Sequence, residues 1–585
     1  MNDDFNFERR LLLAFTLAAM AYLIFFPLLA KKRAATTGTP AAAPTAIEAP
    51  GKTTPTPAAP QSGSPGGNVR PSVVAAATPA GGAIAAATEQ TVTVESASYR
   101  VVFSNRGAVV RSWVLTGYTD ASNRPLELVD DKLAAQNGYP LSLWTPEAGP
   151  RTAMASGLYQ VTTAAGAPVT GNVKLAAPAH LEFRWSNGSL AVTKDLDFDA
   201  SFVTHITTSV ALNGVPQAHQ IAWTGDFGDR TEANHAATLH PFDDTGDSLK
   251  LLPLKKDSPP VATQEGAFRF SGLEDQYFAL AFLPLHSGPQ TLDIFHTRVD
   301  SATGLVETPN PDGSFPDTKK PLEIPGLAVG EGGSNDYRLF VGPKKIDLLN
   351  SIDPELRKLV DFGWFSIVAE PIFLAMKWLY GHWIHNYGWV IIALTFFINL
   401  AIFPLRLKGQ KSQAKMMAIQ PRLQPLNDKM KRYPMRDPRR QEIQQQVMKI
   451  YQEEGINPMG GCLPMLLQLP LLYAFYRVLA GSIELRHAPW IGYLHDLSAR
   501  DPYYILPLLM IGAQFWSMTL IPPAPGQDPM QAKMMKYIMP IGLGYIFFFL
   551  PSGVNLYYLT SNLLSVGQQT FINRTMPVAI AKKRA

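Results

Sequence analysis

The sequence predicts a multi-domain membrane protein: a six-span α-helical bundle with a cytoplasmic helical hairpin, plus a large antiparallel β-sandwich on the opposite side of the bilayer. Three observations carry this reading. Apolar runs at 11–30, 387–405, 461–480, 503–521, 535–550 and 554–572 read as membrane helices. Between about 91 and 345 the texture changes to short β-branched and aromatic runs. Residues 406–454 carry twelve Lys/Arg against five Asp/Glu, in a helical pattern too polar to cross hydrocarbon. The mean hydropathy of +0.00 and net charge of +4 are averages over these unlike parts.

The run at 11–30 has no charge and suffices for roughly 30 Å of helix. It is longer than a signal-peptide core and ends in Lys31, Lys32 and Arg33, which predicts an uncleaved anchor over 1–33. No cysteine follows it, so lipid attachment there is excluded. Cys462 is the one cysteine of the chain, which also excludes an intrachain disulfide or a thiol metal cluster. Residues 34–90 are nearly all Ala, Thr, Pro, Gly and Ser. That composition cannot bury enough surface to offset chain entropy, and it predicts a disordered linker.

The β domain over 91–345 is read from runs at 101–103, 109–115, 181–185, 202–210, 268–270, 277–283 and 337–341. Asn-Gly, Asn-Arg-Gly, Asp-Gly and Pro-rich turns separate them, as in a large antiparallel sandwich. The remaining domain, 346–585, opens with an amphipathic helix over 364–380. Its Trp364, Phe365, Phe373, Trp378 and Tyr380 suit the membrane interface.

Charge sets the topology. The hairpin at 406–455 has the largest Lys/Arg excess and belongs in the cytoplasm. Alternation then places 481–502 outside, returns 522–534 and the C-terminal tail inside, and puts the β domain in the periplasm with a cytoplasmic N-terminus. Lys31–Arg33 argue the other way for the first span; the hairpin outweighs them.

No nucleophile elbow, P-loop, dinucleotide fingerprint or zinc-ligand spacing is present, so no catalytic residue, cofactor or metal is expected. His235, His240, Asp243, Asp244 and Asp247 are close in sequence, but fit neither a helical metal pair nor a calcium loop; they read as a solvated loop. In the hairpin, helices over 407–432 and 439–454 meet at a hinge containing Pro434 and Pro438. Met416, Met417, Ile419, Leu423, Leu426 and Met430 on one arm face Ile443, Val447, Met448 and Tyr451 on the other. Methionines adapt to many partner shapes, which makes Met416, Met417 and Met430 candidate polypeptide contacts. The positive face with Lys411, Lys415, Arg439 and Arg440 suits anionic lipid or ribosomal RNA.

Within the spans, Thr395 and Asn399 are four apart on one helical face. Asn399 and Gln468 each sit about six residues from the cytoplasmic end of their span, roughly 8–9 Å inside it. Polar groups at one level of the inner leaflet predict a wet recess.

Several motifs now point to a family. Val360-Asp-Phe-Gly-Trp364, Asn457-Pro-Met-Gly-Gly-Cys-Leu-Pro464, Gln468-Leu-Pro470, Asp496-Leu-Ser498, Asp501-Pro-Tyr-Tyr-Ile-Leu-Pro507, Asp528-Pro-Met530, Pro551-Ser-Gly553 and Leu556-Tyr-Tyr558 occur in one order. Together they resemble the YidC/Oxa family of membrane protein insertases, densely over about 355–575. Ser104-Asn-Arg-Gly107, Gln276-Tyr-Phe278 and Leu339-Phe-Val-Gly342 extend the likeness more loosely toward the Gram-negative form, whose periplasmic domain is a β-supersandwich.

The resemblance implies a hydrophilic groove open to cytoplasm and lipid, which takes the polar parts of a nascent chain while its apolar helix slides out along the spans. Thr395, Gln468, Tyr557 and Tyr558 match groove or substrate-contact positions, and interfacial aromatics then receive the apolar segment. At the position of Asn399 the family typically carries an arginine held to attract acidic tails; here it is a neutral amide. Arg477 does not replace it. It falls nine residues after Gln468 and about 180° around an ideal helix, nearer the outer end where it can snorkel. Asn555, also near the outer surface, reads as a cap or interhelical bond. The implied partners are nascent membrane proteins, the Sec translocon and its accessory subunits, the ribosome and the lipid bilayer, with no DNA. The expected function is therefore that of an inner-membrane insertase and folding chaperone without chemical catalysis. A solute transporter or channel, the alternative, would need polar residues in both halves of the bilayer. An anchored carbohydrate enzyme would need an acid pair.

Overall fold

The structure, a computed structural model, describes residues 82–575 apart from 165, 167, 233–234, 256–257, 302, 308–309, 311–320, 364–365, 435–436, 456–462 and 521–532. The expected anchor over 1–33 and most of the linker lie outside the described residues. The chain divides into two units, Met1–Asp275 with Leu280–Val341, and Gln276–Ala279 with Gly342–Ala585.

The first unit is built of three sheets. One runs in the order Pro125–Glu127, Val109–Thr119, Tyr99–Ser104, Thr91–Glu95, Val173–Ala176. The largest contains Phe270–Glu274, Phe278–Pro284, Ser334–Pro343, Val203–Leu212, Leu190–Phe198 and Ala179–Ser186 side by side; the third contains Gln290–Val299, Leu322–Gly332 and His219–Trp223. Pairing is antiparallel except where Val92 lies beside Val173 in a parallel register. The expected 34–90 linker is too long at its C-terminal end. Ile84 exchanges both backbone hydrogen bonds with Ser186 at 2.9 and 2.8 Å, and Gln90 is buried, so the ordered domain begins before Thr91.

Strand period explains the core. Along Leu190–Phe198 every second residue is buried: Leu190, Val192, Lys194, Leu196 and Phe198. Rings then bridge the sheets, with Tyr99 6.2 Å from Phe198, Phe103 5.7 Å from Phe183, and Trp113 6.0 Å from Trp223. Lys194 breaks the apolar pattern. Its fully buried Nζ donates to the carbonyls of Ala108, at 2.7 Å, and Leu141, and burial pushes its pKa down to about 7.

The reading of 235–247 as a solvated loop is corrected. His240–Asp244 is a strand paired with Phe270–Glu274, and Asp243 and Asp244 are buried. His235 is bound to Asp226 at 2.9 Å. Alternating polarity was hidden there by residues whose charges the fold satisfies internally.

The second unit is helical. We label α1 Ser366–His382, α2 Tyr387–Ala418, α3 Gln420–Lys431, α4 Pro438–Glu453, α5 Leu463–Gly481, α6 Ile505–Leu520, α7 Met539–Phe547 and α8 Ser552–Thr575. One of them, over Tyr387–Gly409, is long and apolar enough by itself to cross a membrane, and α6 is a shorter apolar helix. The helix expected over 364–380 is α1. It buries Ala369, Ile372, Phe373, Met376 and Leu379, yet leaves Ile367, Leu374 and Trp378 exposed. Apolar residues on both faces suit contact with protein on one side and lipid on the other.

Two helix boundaries differ from the sequence reading. The hairpin arm expected over 407–432 is not one helix, because α2 continues unbroken to Ala418 and α3 starts afresh at Gln420. Pro421 lacks an N–H and its ring clashes with the preceding turn, so the helix restarts there. The span expected over 535–550 is a π turn, Met534–Ile538, followed by α7, which stops at Phe547. The family motifs prove architectural. Asp501 accepts from the N–H of Tyr503 at 3.0 Å and of Leu506 at 2.7 Å, capping α6. Ser552 and Gly553 donate to the carbonyls of Ala499 and Leu497, which seats the start of α8 on the same loop.

Candidate functional site

The helix α8 organises the polar residues of the bundle. It packs on α2, α5 and α6, and Tyr557, Ser561, Ser565 and Gln568 follow one another at spacings of four, four and three, a single stripe along its length. Asn399 and Gln468 meet this stripe, and Thr395 is linked to it through Asn399. Asn399 lies with Nδ2 and Oδ1 both 3.4 Å from the Ser561 hydroxyl, and its Nδ2 also donates to the Thr395 carbonyl at 2.8 Å. Thr395 turns its hydroxyl back to the Ile391 carbonyl at 2.6 Å. Gln468 on α5 donates to the Tyr557 hydroxyl at 2.8 Å. The three helices are thus joined through one turn of α8.

The structure alters the expected character of this site in two ways. Thr395 is 0% and Asn399 2% exposed, so in this state the recess is a closed seam, with its polar atoms paired to each other. Tyr557 and Tyr558 lie inside the bundle. Both are buried; Tyr557 stacks on Phe475 with centroids 4.0 Å apart, and Tyr558 lies 4.7 Å from Phe547. A buried tyrosine must pair its hydroxyl, and Gln468 provides that partner. The exposed aromatics include Trp389, Phe396, Phe397, Phe515 and Trp516.

Sequence reasoning missed Arg406, Ser565 and Gln568. Arg406 Nη1 donates to Ser565 Oγ and Gln568 Oε1, each at 2.8 Å, and Gln568 Nε2 reaches the Asn399 carbonyl at 3.4 Å. The signal is the stripe at 557, 561, 565 and 568, which the apolar run at 554–572 hides. Asn555, by contrast, caps as expected: its Nδ2 donates to the carbonyls of Phe547 at 3.1 Å and Leu550 at 3.4 Å, closing the end of α7. Arg477 bonds the Asp361 carbonyl at 2.6 Å, on the segment before α1. Gly363 in that segment has φ +73°, and a Cβ there would lie 3.1 Å from the Tyr473 hydroxyl, so glycine is required.

The hairpin seam is formed by Ile419 and Leu423 against Val447, Ile450 and Tyr451. Lys415 is exposed; Met430 is half-buried and Met448 exposed. Side chains of Lys411, Met416 and Met417 lie outside the described residues. Arg439 and Arg440 have a structural use. Arg439 sits 5.2 Å over the Tyr433 ring and Arg440 donates to the Tyr433 carbonyl at 3.1 Å, while Asp437 caps α4 through the Arg439 N–H. Among the described residues no cluster of His, Cys, Asp and Glu could hold a metal.

Comparison with known proteins agrees with this architecture. The YidC periplasmic domain family matches residues 91–375, and the 60Kd inner membrane protein family matches 378–580. The membrane protein insertase YidC of Bordetella avium (strain 197N) is 32% identical over 524 residues, covering 86% of this chain and 87% of that protein. That of Burkholderia cenocepacia J2315 is 39% identical over 300 residues, 51% of this chain; the chain spans 50% of that relative's length. Among solved structures, an active YidC insertase with its first transmembrane domain resolved shares 18% identity, covers 82% of this chain and 94% of its own, and superposes with a TM-score of 0.32. That score carries no argument about the fold; the two family matches and the relative matched over 86% of this chain show the family, and by them the chain belongs to the YidC family of membrane protein insertases.

Proposed function

We propose that this chain is a membrane protein insertase and folding chaperone of the bacterial inner membrane. It receives nascent membrane proteins from the ribosome, alone or beside the Sec translocon and its accessory subunits, and it performs no chemical catalysis. In this reading it has six spans with both termini in the cytoplasm, the β unit is periplasmic, and the α3–α4 hairpin lies at the cytoplasmic mouth, offering methionines and cations to the arriving chain.

The observation that supports it best is a continuous polar seam, from Thr395 to Gln568, inside a bundle whose outer faces are apolar. Polar groups buried in a membrane bundle lower the cost of bringing a polar tail into hydrocarbon. The seam's Asn399–Ser561 contact is easy to part, since the two meet only at 3.4 Å, near the limit of a hydrogen bond. A nascent segment would replace this weak contact with its own, while its apolar helix leaves along Phe396, Phe397 and Leu400.

Reconstitution into proteoliposomes tests the reading. The protein should insert a small single-span substrate without conducting ions or sugars. Asn399→Leu should lower insertion of polar-tailed substrates, and Asn399→Arg should be tolerated. Solute flux without insertion would replace this reading with a transporter or channel.

A further inference from the structure

Along α2 the positions 395, 399 and 406 fall on one face. Seven residues separate Asn399 from Arg406, nearly two full turns, so the guanidinium lies about 10 Å further along the same stripe. Its Nη1 is held by two neutral acceptors on α8, Ser565 and Gln568, at 2.8 Å each. Among the described residues no carboxylate lies within ion-pair distance of it. A guanidinium has five N–H donors, and those on Nε and Nη2 have no acceptor among the described residues. Three other described cations of this unit do have carboxylate partners: Arg422 with Glu454, Lys377 with Asp347 and Arg357 with Glu370. Arg406 is therefore a positioned cation at one end of the seam, held in place yet missing an anionic partner.

We propose that Arg406 is the specificity-determining residue of the seam, receiving carboxylates of acidic polypeptide segments as they enter between α2 and α8. The role rests on the insertase reading above and deepens it. Preorganisation by Ser565 and Gln568 fixes the fork so that its remaining face can take a carboxylate side-on, the geometry that gives arginine its strength with carboxylates. The neutral Asn399 two turns away then supplies polarity without charge, and the positive charge sits at the seam's entrance. An arginine that merely anchored α2 to lipid phosphate would serve all substrates alike.

The experiment compares two single-span substrates differing only in the translocated tail, one with several Asp/Glu and one with the isosteric Asn/Gln, in proteoliposomes of neutral lipid. With Arg406→Gln, insertion of the acidic tail should fall about tenfold, the scale of a lost charge-assisted hydrogen bond, and that of the neutral tail less than twofold. Arg406→Lys should keep part of the preference, and Ser565→Ala with Gln568→Ala should reduce it by loosening the fork. Equal losses on both tails, or none on either, would overturn the proposal while leaving insertion itself intact. Failure of the unaltered protein to insert either tail would instead sink the insertase reading.

Discussion

Among the described residues the β unit exposes six large hydrophobic side chains and the helical unit twenty-four, Phe397, Leu400, Trp516 and Ile541 among them. Both units nevertheless bury polar groups at their centres, Lys194 in one and Thr395, Asn399 and Gln569 in the other. The difference lies in the solvent each was built for. In water, turning Leu190, Val192 and Leu196 inward stabilises the sheet, and a buried lysine is an exception that two carbonyls must satisfy. In hydrocarbon an exposed phenylalanine costs nothing, and polar residues have nowhere to go but inward, where they find each other on α8.

The largest predicted effect probes the exception in the water-facing unit. Lys194→Ala leaves a cavity and two orphaned carbonyls, and should destabilise the β unit by about 3–5 kcal/mol, read as a shift of its urea midpoint in the full-length protein. Lys194→Met keeps the volume and isolates the charge. The amine titrates near 10.5 unfolded and near 7 folded, so between these values the unfolded chain binds the extra proton. The lysine's contribution is complete above about 10.5 and lost as the pH falls through about 7. Wild-type stability relative to Lys194→Met should climb with pH across that window; a flat difference would mean that the carbonyls of Ala108 and Leu141 hold the amine charged.

A matched pair of surface changes tests the solvent argument directly. Phe397→Lys, on the exposed face of α2, should cost about 2.5–3.5 kcal/mol of membrane integration. Leu212→Lys, exposed on the β unit, should stay within about 0.5 kcal/mol of wild type. Equal effects on integrated yield and thermal stability would break the comparison. In the hairpin, Leu423→Ala removes the best-buried residue of the α3–α4 seam and should lower its melting by about 2 kcal/mol, measured by hydrogen exchange in α3 and α4 and leaving the spans unchanged.

How much of this was legible in the sequence follows from the same contrast. Short β-branched and aromatic runs such as 109–115 and 202–210 fell where strands formed, because such side chains pack well on a pleated, half-buried surface. The run at 554–572 misled, since hydropathy records how apolar a helix is and not which way its few polar residues point. Ser561, Ser565 and Gln568 acquired meaning only once α8 was seen against α2. Arg406 was counted with the hairpin's charges for a similar reason: the helix was assumed to end where the apolar run ended, whereas backbone hydrogen bonding carries α2 on to Ala418. The buried Asp243 and Asp244 show the converse error, a polar stretch taken for a loop because its partners lie far away in sequence.

The smallest effect sharpens the comparison most. Asn399 and Ser561 meet at 3.4 Å with both donor directions available, and Asn399 also bonds along its own helix to the Thr395 carbonyl. A double-mutant cycle of Asn399→Ala and Ser561→Ala should give a coupling of about 0.6 kcal/mol, the ordinary value for a polar pair between membrane helices, measured by unfolding in mixed micelles. The single variants should differ, because losing Asn399 also removes its Nδ2 bond to the Thr395 carbonyl, whereas losing Ser561 removes only the contact with Asn399. A coupling above about 2 kcal/mol would describe a rigid strut, and a seam held by struts could not part for a nascent chain. Weak coupling with a wild-type melting profile is what an opening seam requires: Asn399 and Ser561 satisfy each other while it is shut, and neither is held so tightly that an incoming carboxylate or amide could not take its place.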